Sequence, residues 1–258
     1  MRFRLALPSL AVALLLTGCG GGDEATSTTT VVRTTTQTPT SSVPEEAPAV
    51  VTLYFLRDGK VAPVERGIVT GPAIGTATIR ELLKGPSSED EGLDTAIPSG
   101  AKLESLEIGN GVASLELSRP LPSQTALAQV VYTLTQFPTV KRVAVGGKTA
   151  GRRAFEAQTP AILIETPMPG DTVQSGFEVT GTANTFEATF NYELKDAAGK
   201  VIAKNFVTAT SGSGTRGTFR FTVQYSISKP QAGTLVAFEV SAADGSRTHT
   251  VELPLRLE

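Results

Sequence analysis

One imidazole and one thiol, His249 and Cys19, are all that this 258-residue chain offers to nucleophilic or soft-metal chemistry. A zinc centre or an iron–sulfur cluster takes several such ligands, so neither is expected. A Ser–His–Asp triad would have to use His249, and the G-x-S-x-G elbow that exposes a nucleophilic serine does not occur. Glu89-Asp90-Glu91 with Asp94 is the best carboxylate cluster. Glycoside hydrolysis needs one such carboxyl held in an apolar pocket. These four are flanked by Ser and Gly and read as a solvated charged loop, without the spacing of a calcium loop. Gly71-Pro72-Ala73-Ile74-Gly75 is followed by Thr76-Ala77, and Gly146-Gly147-Lys148 has Arg142 where a phosphate loop places its first Gly, so neither has the framing of a phosphate loop. Lys and Arg total 23 against 25 Asp and Glu, which leaves no basic excess for nucleic acid. The expectation is a protein without catalytic residues, cofactor or metal.

The remaining candidates are binding residues. Lys141-Arg142, Lys148 and Arg152-Arg153 form a modest basic patch near the domain junction, suited to an acidic partner or a lipid headgroup, with solvated surface as the default reading. Sugar platforms use exposed aromatic rings, above all Trp, and this chain has no Trp. Tyr132, inside a predicted helix, is the aromatic to examine first, with core or rim packing as the expectation. His249 shares parity with Val251, Leu253 and Leu255, which places it partly buried at the end of a sandwich.

Cys19 has another use. Arg2 and Arg4 precede an apolar run, Leu5 to Leu16, that is too short to span a bilayer and reads as a signal-peptide core. The run ends in Leu16-Thr17-Gly18-Cys19, which resembles the bacterial lipobox. Residues 1–18 are therefore expected to be a lipoprotein signal peptide and Cys19 the lipid-bearing (palmitate-type) N-terminus. Losing Arg2 and Arg4 takes the formal charge from −2 to −4, so lipid rather than charge is the holding force. Residues 19–49 form the lipidated Cys and a tether, with nine Thr, three Ser and three Pro from Gly20 to Ala49. So few apolar side chains do not offset ordering entropy, and such a chain has an r.m.s. reach of about 30 Å.

Residues 50–150 alternate between strands and short helices. Val50 to Leu56 and Val61 to Thr70 flank a turn containing Asp58-Gly59, and Leu103 to Ile108 and Val112 to Leu117 bracket Gly109-Asn110-Gly111. Ile79, Leu82 and Leu83 stripe one helix, which Gly85-Pro86 stops. Ser123 caps a second, whose Leu127, Val130, Val131 and Leu134 share a face. With Val140 to Val145 as a last strand, the order β-β-α-β-β-α-β predicts two helices on one mixed sheet. Residues 158–258 turn to period two: Phe186 to Leu194, Phe219 to Tyr225 and Val251 to Leu257 each alternate apolar and polar. That pattern predicts an antiparallel immunoglobulin-like sandwich, whose final strand, by Pro254, lies at an edge or leaves the ladder there. The fold class is α+β: a small mixed-sheet α/β domain followed by an all-β immunoglobulin-like sandwich.

The motifs carry two resemblances. Leu53-Tyr54-Phe55, Leu82 to Pro86, Thr95 to Gly100 and Tyr132 to Pro138 make the first domain similar to the GerMN domain, the repeated unit of GerM-like sporulation and germination lipoproteins. Pro167 to Asp171, Val179 to Ala183, Phe186-Glu187, Asp196 to Gly199 and Ala243 to Gly245 make the second resemble the immunoglobulin-like domain of bacterial spore-germination proteins. GerM carries two GerMN units and this chain one. The resemblance implies a lipid-anchored protein on the extracytoplasmic face of the cell membrane, acting as an assembly or interaction module in sporulation or germination. In non-sporulating actinobacteria the family implies support of an envelope-sensing kinase. Envelope protein partners and cell-wall contact are expected. A peptidoglycan- or polysaccharide-binding module is the alternative, and a hydrolase using residues 89–94 stands third.

Overall fold

The computed structural model describes residues 47–71 and 73–258. The signal peptide, Cys19 and most of the tether lie outside the described residues, as does Pro72.

Strands β1 (Ala47–Arg57) and β2 (Lys60–Thr70) form a hairpin. β1 begins three residues before Val50, because Ala47 to Ala49 pair with Ile68 to Thr70. Asp58 and Gly59 both have positive φ, 50° and 73°, the geometry that lets a two-residue turn match the strands' twist. Helix α1 (Ile74–Leu82) follows, then β3 (Leu103–Gly109), β4 (Val112–Leu117), helix α2 (Gln124–Leu134), β5 (Arg142–Val145) and β6 (Lys148–Ala150). Ser123 caps α2 as its sequence predicts, accepting from the Ala126 N–H at 3.1 Å.

The single mixed sheet is corrected. β1 and β2 form their own two-stranded sheet, while β3-β4-β5-β6 form a second, with β4 and β5 parallel. The cause lies in α2, which is buried on all sides from Ala126 to Leu134 rather than along one stripe. Its apolar side chains fill the core with Leu53, Phe55, Ile79 and Leu82. Its polar side chains, with Gln136 just past its end, take the place of the strand β1 would otherwise pair with. Thr52 donates to Gln136 Oε1 at 2.8 Å and accepts from Gln136 Nε2 at 2.6 Å. Tyr54 donates to Thr133 Oγ1 at 3.0 Å and accepts from Gln129 Nε2 at 3.1 Å. Backbone groups buried away from water must be paired, and here a helix satisfies a strand edge.

A 3-10 helix (Arg152–Gln158) leads into the second domain. Its strands are β7 (Ile162–Thr166), β8 (Thr172–Val173), β9 (Phe177–Ala183), β10 (Thr189–Asp196), β11 (Val201–Thr208), β12 (Gly217–Val223), β13 (Gln231–Val240) and β14 (Arg247–Leu257). They make two facing sheets, β11-β10-β13-β14-β8 and β12-β9-β7. Phe190, Leu194, Phe219, Leu235, Leu253 and Leu255 meet between them, as the alternation requires. The expected α+β class holds. In β7 the alternation has a second consequence: Ile162 and Ile164 face the sandwich core, whereas Leu163 packs into the core of the first domain. Gly181 lets the strands approach, since a Cβ there would sit 2.0 Å from the Leu163 carbonyl oxygen.

Three sequence readings change. Phe186-Glu187-Ala188 does not extend β10. It is a 3-10 turn with Glu187 and Ala188 at positive φ, and Phe186 is 64% exposed. Local alternation does not reveal where a strand stops. His249 is not core-facing either. β14 bulges where two residues oppose one, between the Ala237–Val251 and Glu239–Thr248 pairs, and His249 takes φ 50°. One extra residue flips parity, so its side chain is 58% exposed and meets Glu239. The loop at 89–94 is only partly solvated. Asp90 has a side chain 5% exposed, paired with Arg66 and accepting from the Ser87 N–H and hydroxyl. Pro254 is not on an edge strand, a further correction: β14 runs between β13 and β8, Pro254 lies opposite Thr234 of β13, and its carbonyl accepts from Gly170 N–H at 2.8 Å.

Candidate functional site

Because α2 pins the backbone of Tyr54, its ring lies 5.2 Å from that of Tyr132. Arg152, the first residue of the 3-10 helix, lays its guanidinium against both, 4.7 Å from the centre of Tyr132 and 5.3 Å from that of Tyr54. It donates from Nε to Thr135 Oγ1 at 2.7 Å, from Nη1 to Glu165 Oε1 at 2.6 Å and from Nη2 to the Tyr132 carbonyl at 3.2 Å. The Tyr54 hydroxyl donates to the same Glu165 oxygen at 2.5 Å. Glu165 belongs to β7, so this cluster joins the two domains. Burial, then the Glu165 charge, push the Tyr54 phenol far above its ordinary value. Burial also raises Tyr132, whose hydroxyl bonds Thr159 at 2.7 Å.

A second clamp lies at the other end of the 3-10 helix. Glu156 accepts from Asn184 at 2.9 Å and from Arg216 at 3.0 and 2.8 Å. Burial pushes the Glu156 carboxyl up, but the bonds from Arg216 and Asn184 and the Arg216 charge outweigh it and hold it below the usual range. Between the clamps Phe155 is fully buried, and Lys60 Nζ donates to the Ala157 carbonyl at 2.5 Å. The segment between the predicted domains is thus a splint.

Beside the first clamp runs a groove of about 990 Å³. Its floor includes Tyr54, Arg152 and Glu165, an apolar part comes from Val140, Ala150 and Met168, and its rim carries Lys141, Arg142 and Arg153. β5 and β6 set that rim. Gly146 and Gly147, at φ 55° and 73°, turn the hairpin, and Arg142 and Thr149 share its outward face. Lys141, Arg142 and Arg153 are exposed, and among the described residues none has a carboxylate within salt-bridge distance.

The predicted patch therefore divides. Lys141, Arg142 and Arg153 are solvated, as expected, and Lys148 is exposed too but lines a different cleft with Glu116, whereas Arg152 is a half-buried fastener, a correction that follows from the tyrosine pair beneath it. Tyr132 lies in the core at 2% exposure. Tyr54, Glu165 and Thr135 escaped the sequence reading as site residues. The available signal was the polar pair Gln129 and Thr133 on a largely apolar helix, continued by Gln136 just past its end, which marks a side facing unpaired backbone. Among the described residues no group of three or more His, Cys, Asp or Glu converges as a metal site.

Comparison with known proteins divides the chain at the same place. The family model described as sporulation and spore germination matches residues 52–149. That described as an immunoglobulin-like domain of bacterial spore germination matches residues 161–246. No curated protein matches. Among solved structures, the tandem GerMN domains of the sporulation protein GerM from Bacillus subtilis are 29% identical, over 43% of each chain, with a TM-score of 0.31. This chain thus spans less than half the length of that protein. A putative lipoprotein from Clostridium perfringens is 18% identical over 42% of this chain and 89% of its own, with a TM-score of 0.28. CopC from Methylosinus trichosporium OB3b is 12% identical over 38% of this chain and 93% of its own, with a TM-score of 0.24.

Proposed function

We propose that this chain, which joins a sporulation and spore germination domain to an immunoglobulin-like domain of bacterial spore germination, is a non-enzymatic interaction or assembly module of the cell envelope. The observation that carries the reading is the Arg152–Glu165–Tyr54 clamp, which makes one composite face from two domains. A fixed face spares the entropy of ordering two mobile domains when a partner docks. Cys19 bears the lipid that holds the mature protein at the extracytoplasmic membrane surface, and the Thr-rich tether lets the face search for its partner at high local concentration.

The test has two arms. In native cells, Cys19→Ala is expected to move the protein from the membrane fraction to the soluble fraction, and membrane retention of that variant would defeat the anchor. A photoactivatable crosslinker placed at Thr149, on the groove rim, is expected to capture one defined envelope protein. Capture of nothing above background there, with capture elsewhere on the surface, would remove the groove as the working face. Retention of the purified chain by protein-free cell wall would favour the polysaccharide-binding alternative.

A further inference from the structure

We propose that the junction groove receives an acidic, extended segment of a partner protein, added along the open edge of β6. This rests on the reading of the chain as an interaction module and names the chemistry of what it holds. From Lys141 to Arg153 the sequence carries five cations and no carboxylate, in a chain whose formal charge is −2. The patch is thus a local reversal of sign on an acidic body. An acidic segment is repelled elsewhere and attracted here, which fixes where it lands and speeds its encounter.

The structure sorts the cations. Arg152 is consumed by Glu165 and the two tyrosines, and Glu165, the groove's one lining carboxylate, is consumed by Arg152 and Tyr54. The floor therefore carries no net charge. Lys141, Arg142 and Arg153 stand free around it, and their charge is available to a ligand. Among the described residues β6 pairs with β5 alone, which leaves its other backbone edge to a further strand. Ala150, partly exposed, offers apolar contact to a side chain of such a strand, backed by the buried Val140 and Met168. Those two features favour a peptide over a polyanion, which has no strand edge to pair.

The test is fluorescence anisotropy with the mature full chain in detergent. The probes are a labelled ten-residue peptide alternating Glu and Val, the same peptide with Lys for Glu, and a labelled inorganic polyphosphate. The acidic peptide is expected to bind, the Lys peptide not. Raising the salt should weaken binding severalfold, and K141E/R142E/R153E should weaken it at least tenfold. The milder K141Q/R142Q/R153Q, checked for native circular dichroism, should give a smaller loss. Unchanged binding by either folded variant overturns the proposal. So does absence of binding by the wild type. Polyphosphate binding as tight as the peptide's assigns the groove to an anionic polymer and overturns the peptide assignment. The Thr149 crosslink separates the two levels: capture that survives K141E/R142E/R153E sinks the charge assignment and keeps the interaction module, whereas no capture from any surface position sinks the module.

Discussion

Arg152 and Arg153 are neighbours in the chain and opposites in use. On the inner side of the junction, each nitrogen of Arg152 donates, to Thr135, Glu165 and the Tyr132 carbonyl, and its guanidinium lies over two aromatic rings. On the outer side, Arg153 joins Lys141 and Arg142 as charge without a carboxylate among the described residues. The contrast teaches that a basic run is not one feature. Burial decides which cation holds the protein together and which is left for a partner.

The largest expected effect breaks the inner side. Arg152→Ala strips Glu165 and the two tyrosines of their shared partner, and urea unfolding should show a loss of about 3–5 kcal/mol. Arg153→Ala should change stability by less than about 0.5 kcal/mol in the same measurement. Equal losses would erase the distinction. Arg152→Lys should fall between them, since a point charge does not replace a planar fork.

Next in size is the support behind the inner side. Gln129→Leu leaves the Tyr54 carbonyl and the Ala96 N–H without their partner. Each buried orphan costs about 1–3 kcal/mol. Heat or urea melts should show that loss, together with faster hydrogen exchange at Ala96.

Smaller effects separate the clamps by pH. Tyr54 has its folded pKa raised above the unfolded value of 10.0, so its contribution is present below pH 10.0 and is lost as pH rises beyond it. Stability should fall between about pH 10 and about pH 11, and less steeply in Tyr54→Phe. Glu156 is shifted down, so its contribution is present above the unfolded value of 4.5 and is lost as pH falls through the folded value. Glu156→Gln should flatten the acid limb and leave the alkaline limb as it was. The smallest expected stability change is that of the rim variant K141Q/R142Q/R153Q, whose melting temperature should match the wild type.

Much of the fold was legible because its signals are local. Asp58-Gly59 and Asn110-Gly111 mark tight turns wherever they occur, and both pairs adopt the positive φ such turns need. Ser123 before an apolar stripe marks a helix start. The candidate site was less legible because it is made of distant residues. Tyr54 and Glu165 are 111 positions apart, and nothing local to either identifies the other. The bulge at His249 was hidden for the same reason: parity along one strand does not register an extra residue relative to its neighbour.

By itself the sequence determined the α+β class, the two-domain order, the turns and the absence of basic excess, since these depend on composition and on periods of two and of about 3.6 residues. Only the tertiary structure decided that α2 closes the edge of β1, that Arg152 packs against two tyrosines while Arg153 does not, and that Leu163 belongs to the other domain's core. Those outcomes depend on which groups are shut away from water together, and that is a property of the assembled chain.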